Sequence, residues 1–142
     1  MTQVMQVVRV AIKYAALVFG IGFVLGTARV LLVAPRLGER RAELIEAPLM
    51  VFVSWLVARW ITRRYIGIRR TASSLAVGVL ALVFLLILEV AVGSIFFGVS
   101  QGSALAKPDL VRAASYYTAL FLFALMPLLV SRRFQARPPS SG

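Results

Sequence analysis

Four long apolar runs dominate the chain, separated by short clusters of charge. They extend over about 12–34, 45–61, 72–99 and 113–130. A helix that crosses a bilayer needs roughly 20 mostly apolar residues, so the pattern predicts an all-α fold, an integral membrane bundle of four transmembrane helices occupying residues 1–134. The second run is short. Arg59 near its end can extend it by reaching the interface with its long side chain. Pro127 falls inside the fourth run and is expected to kink it, with a neighbouring helix re-satisfying the freed carbonyl. Pro108 and Asp109 read as a start signal for that helix. The tail 135–142, rich in proline and serine, is expected to be disordered.

Composition agrees with this pattern. Of the 142 residues 61% are hydrophobic, and mean hydropathy is +0.90. Cysteine and histidine are both absent. That excludes disulfides, Cys/His metal sites and the commonest general base of neutral-pH catalysis. No nucleophile motif or phosphate loop is present. The expectation is therefore a non-enzyme without cofactor or metal.

The net charge of +11, from 16 basic and 5 acidic residues, would suggest nucleic acid in a soluble protein. Here the basic residues sit at the ends of apolar runs, which argues for topology signals and no nucleic acid. Arg9, Lys13, Arg63, Arg64, Arg69, Arg70, Arg132, Arg133 and Arg137 fall on one side. Arg36, Arg40, Arg41, Lys107 and Arg112 fall on the other. Nine against five places both termini in the cytoplasm. Tyr14, Trp60 and Tyr65 near one interface, and Tyr116 and Tyr117 near the other, suit aromatic belts. The first run has a basic start and a Gly26-Thr27-Ala28 sequence resembling a cleavage site, but it is too long for a signal-peptide core and reads as a retained helix.

Two charges lie inside the runs away from their ends, Arg29 and Glu89. With a rise of 1.5 Å per residue their depths differ by only about 4 Å on the same half of the membrane. Each ion alone costs about 2.5–3.5 kcal/mol near a helix centre, so an intramembrane ion pair between them is expected. Arg112 is an alternative partner for Glu89, and Glu43 or Glu46 for Arg29. The pair reads as a structural lock between helices or as part of a proton or ion relay.

Residues 35–48 carry Glu39, Glu43 and Glu46 at spacings of four and three, which share one helical face, with Arg36 and Arg40 beside them. This predicts a short amphipathic turn or helix at the surface. Pro35 is expected to end the first span, and Pro48 to lie in the first turn of the second. The three carboxylates are an internally paired connector, a docking surface or a divalent-cation site, although nothing in the spacing makes their oxygens converge. Gly22 and Gly26 form a GxxxG match, extended by Ala16 and Gly20, which suits close helix packing within the bundle or between two copies. Ser94 and Gly98 repeat the spacing. Arg63, Arg64, Arg69 and Arg70 in the connecting loop suit contact with anionic lipid headgroups.

The stretches Gly26-Thr27-Ala28-Arg29-Val30-Leu31, Ala34-Pro35-Arg36-Leu37-Gly38 and Glu46-Ala47-Pro48 resemble small four-span bacterial inner-membrane proteins of uncharacterised function. That resemblance implies a multi-pass location in the bacterial inner membrane and transfers no catalytic or binding residue. Small multidrug exporters differ, with their working glutamate in the first span, and fluoride channels have a polar track not found here. The expected role is a scaffold, accessory subunit or assembly factor. Its expected partners are the lipid bilayer, anionic lipids, and either a second copy or another membrane protein. The alternative is a small oligomeric transporter or channel using Arg29 and Glu89.

Overall fold

The computed structural model describes residues 2–65, 67, 70–97 and 110–136, and within these the side chains of 96, 97 and 112 are not described. The chain is an all-α bundle. Helix α1 (Thr2–Ala28) runs through a π-helical turn (Arg29–Val33) into the short α2 (Ala34–Leu37). Helix α3 (Glu39–Arg64), α4 (Thr71–Phe97) and α5 (Leu110–Gln135) follow. Four of these units, Thr2–Leu37 taken as one rod, are long and apolar enough to cross a membrane. Pro108 and Asp109, Gly98, and residues 137–142 of the tail lie outside the described residues, while Gln135 still belongs to α5.

The helix ends depart from the apolar runs. Pro35 does not end the first span. A proline lacks the N–H that would bond the carbonyl four residues back, and its ring clashes with that carbonyl. The backbone widens just before Pro35 instead, so that Ala34 N–H donates to the Arg29 carbonyl five residues back, and the helix continues. It stops at Gly38, whose φ of 82° lies in the region that favours glycine. The anticipated surface loop is thus helical on both sides of one residue. Pro48 is not in a first turn either, because α3 starts at Glu39 and Pro48 lies inside it. Charged residues can form a helix outside the apolar layer, so α3 has 26 residues and needs no extension by Arg59.

Around the bundle α1 packs against α3 and α4, and α5 packs against the same two. Helices α1 and α5 therefore face each other across the centre. The core is largely apolar, with Val10, Val18, Val57, Val77 and Ala81 packed around the rings of Tyr14 and Phe123. Exposed Val24, Leu32, Phe52, Ile87, Val90 and Phe121 cover the outside, as expected when the surrounding solvent is hydrocarbon. Small residues permit close approach. The tightest case is Gly78 on α4, where any Cβ would overlap the Ala124 carbonyl oxygen of α5.

The GxxxG pair is used inside the bundle, between α1 and α3. A Cβ on Gly22 would lie 2.8 Å from Met50 Cε, and one on Gly26 would lie 3.6 Å from Glu46 Oε1. Four residues forward on α1 thus match four residues back on α3, the register of an antiparallel pair. Gly20, part of the extended motif, faces open space.

Candidate functional site

The same α1–α3 register carries the first charged cluster. One turn beyond Gly26, Arg29 begins the π-helical turn. One turn before Glu46, Glu43 shares its face. Arg29 Nη1 lies 3.1 Å from Glu43 Oε1, and Arg29 Nε lies 2.9 Å from Glu46 Oε2. The Nε hydrogen is not aimed at its neighbour, so the second contact is ionic and lacks hydrogen-bond geometry. The three side chains retain between 20% and 29% of their exposure, so the cluster is half-buried. Arg29 thus bridges two carboxylates of α3, and Gly26 stands in ordinary contact range of the Glu46 carboxylate.

The expected pair between Arg29 and Glu89 is therefore replaced by Arg29 with Glu43 and Glu46. The physical reason is that two carboxylates of α3 stand directly beside the π-helical turn, on the face that Gly22 and Gly26 turn toward α3. Glu89 instead turns to the seam between α4 and α5, where the Tyr116 hydroxyl donates to its Oε2 at 2.6 Å. The carboxylate is half-buried and Tyr116 is exposed. Tyr116 also meets Tyr117 edge to face. The side chain of Arg112, the alternative partner for Glu89, lies outside the described residues.

A third polar contact lies at the bundle centre. Tyr14 of α1 is fully buried. Its ring stacks on Phe123 of α5 with centroids 4.6 Å apart, and its hydroxyl donates to the Phe123 carbonyl at 3.0 Å. That carbonyl stands four residues before Pro127, so it has no helical donor. Ser54 of α3 adjoins the same hydroxyl and donates to the Met50 carbonyl. Sequence reading placed Tyr14 at an interface and missed this role. The available signal was a proline in the fourth span together with a tyrosine inside the first.

At the opposite end from the Arg29 cluster, Arg63, Arg64 and Arg70 are exposed, and Arg69 lies outside the described residues. Lys13 of α1 donates to the Tyr65 hydroxyl at 2.7 Å, which ties the start of the bundle to the end of α3. This bond holds the Tyr65 phenol below its usual range, because an ammonium donor favours the phenolate. Among the described residues no group of three or more His, Cys, Asp or Glu is placed to hold a metal ion.

Fold and site together define a multi-pass, all-helical membrane protein with an ionic clamp between its first two span-length helices and a carboxylate on the seam between its last two. Comparisons with protein-family models, with curated proteins and with solved structures give no match.

Proposed function

We propose that the chain is a non-enzymatic membrane subunit, acting as a scaffold, accessory subunit or assembly factor in the bacterial inner membrane with both termini cytoplasmic. The single observation carrying this reading is the placement of Glu89. Its carboxylate lies on the α4–α5 seam, bonded to a neutral phenol, while the cation expected to meet it is held by α3. An acid within a span calls for a counter-charge, and among the described residues no cation pairs with Glu89. A helix of another membrane protein, carrying Lys or Arg at that depth, supplies one. The apolar filling of the centre by Val10, Tyr14, Val18, Val77 and Phe123 also suits a subunit better than a conduit.

The test is mass determination of the complex extracted in mild detergent. Wild type is expected to retain a heavier assembly, and Glu89→Gln to lose it while keeping its own fold. Isolation of the bare chain, together with pH-dependent ion flux in liposomes that Glu89→Gln abolishes, would replace this reading with a transporter.

A further inference from the structure

The basic end of the bundle contains a groove between α3 and α5. Its volume is about 180 Å³, and it is lined by Trp55, Arg59, Arg63, Val130, Arg133 and Phe134. A water occupies about 30 Å³ in the liquid, so the groove has space for a phosphate group and some of its hydration. Two of the three arginines rest against aromatic rings. The Arg59 guanidinium lies 5.3 Å from the Trp55 ring centre, and that of Arg63 lies 5.9 Å from the Phe134 ring centre.

These cations have no carboxylate within ion-pairing distance among the described residues. The sequence explains why. Of the five acids, Glu39, Glu43 and Glu46 belong to the opposite end and Glu89 to the outer part of α4, while Asp109 lies outside the described residues. A ring face attenuates a cation's field without neutralising it. Three like charges converge on one half-open groove, where an external anion would offset their mutual repulsion. Retention of the loop on one side of the membrane, or the dipole at a helix C-terminus, accounts for arginines in the last turn. Neither accounts for Arg59. It lies about 7.5 Å deeper along α3 than Arg64 and opens into the same groove as Arg133 from another helix.

We infer that this groove binds the phosphate of an anionic phospholipid, with Arg59, Arg63 and Arg133 around the headgroup. The shared chemistry is a phosphate oxyanion, and guanidinium suits it through paired N–H donors. The lipid is the source because the groove continues into apolar surface. Phe52, Leu56 and Leu129 are exposed on the same two helices, where acyl chains would lie. Basic pockets between spans are a recurrent form of headgroup site. This site is distinct from the loop arginines Arg64, Arg69 and Arg70, and it does not depend on the partner proposed for Glu89.

The experiment uses the full chain in nanodiscs of zwitterionic lipid doped with phosphatidylglycerol or cardiolipin, with bound lipid counted by native mass spectrometry. Wild type is expected to retain an anionic lipid in preference to the zwitterionic one. Arg59→Ala and Arg133→Ala are each expected to weaken retention about fivefold, and Arg64→Ala with Arg70→Ala to leave it nearly unchanged. Arg133→Lys tests the same position with the charge kept, and a partial loss is expected from the missing paired donors. Inorganic phosphate is expected to leave the lipid in place. The inference is overturned if the loop variant loses the lipid and the groove variants do not. Displacement of the lipid by inorganic phosphate at matched concentration would overturn the lipid assignment.

Discussion

The hydroxyl of Tyr14 donates to the carbonyl of Phe123 at 3.0 Å, across the diagonal of the bundle. The bond joins two helices that are not neighbours around the ring, and it satisfies the acceptor that Pro127 leaves open. Tyr14→Phe is expected to destabilise the protein by about 1 kcal/mol, the scale of interhelical hydrogen bonds in membranes. Pro127→Ala restores a backbone donor for Phe123, so the same Tyr14 substitution should cost less in that background. Reversible unfolding in mixed micelles measures this cycle. Equal costs in both backgrounds would break the link between the tyrosine and the proline.

The glycines separate by what they face. Gly78→Ala is expected to lower stability by about 1–3 kcal/mol or more, because a methyl would meet the Ala124 backbone, which cannot move aside on its own. Gly22→Ala meets only the flexible end of Met50 and should cost less than about 1 kcal/mol. Unfolding of the two variants under the same conditions checks the order.

At the break between the first rod and α3, Gly38 holds a positive φ. Gly38→Ala is expected to cost about 1–3 kcal/mol, because with ψ of 153° the residue occupies a region open essentially to glycine alone. Thermal inactivation in detergent reads this directly.

Lys13 lowers the pKa of Tyr65 by donating to its hydroxyl. Tyr65 should therefore ionise before the other tyrosines as pH rises, and Tyr65→Phe should remove the earliest phase of an ultraviolet titration. The sign of the linkage follows. A depressed pKa adds stability above the unfolded value of about 10, and that contribution fades as pH falls through the lowered one. Lys13→Met should move the early phase back toward the ordinary range.

Much of the architecture is legible in the sequence because hydrocarbon imposes it. A run such as 72–99 without a breaker has few alternatives to a spanning helix, and α4 covers Thr71–Phe97. Helix ends are less legible. Glu39 to Glu46 looks like a surface connector by hydropathy, yet helix formation needs no apolar face outside the bilayer, and α3 begins there. Pro35 suggests an end only if the helix is assumed to keep its regular register, which the π-helical turn relaxes.

The partners of the charges are legible only as a set of options. Depth along each helix restricts Arg29 to acids on the same half of the bundle. Choosing among Glu43, Glu46 and Glu89 depends on how each helix is rotated, and rotation is decided by packing. Gly22 and Gly26 turn that face of α1 toward α3, and Arg29 follows one turn later. Tyr14 and Gly78 were missed for a related reason. Their roles concern a backbone carbonyl on another helix, and an apolar run does not announce its carbonyls.

The central claim is that Arg29 is committed to the glutamates of α3 and not to Glu89. Double-mutant cycles on folded stability, with Arg29→Gln combined with Glu43→Gln and Glu46→Gln in one case and with Glu89→Gln in the other, measure it most directly. The account predicts a coupling of about 0.5–3 kcal/mol for the α3 glutamates and additivity within about 0.5 kcal/mol for Glu89. A larger coupling of Arg29 to Glu89 than to the α3 glutamates would contradict it.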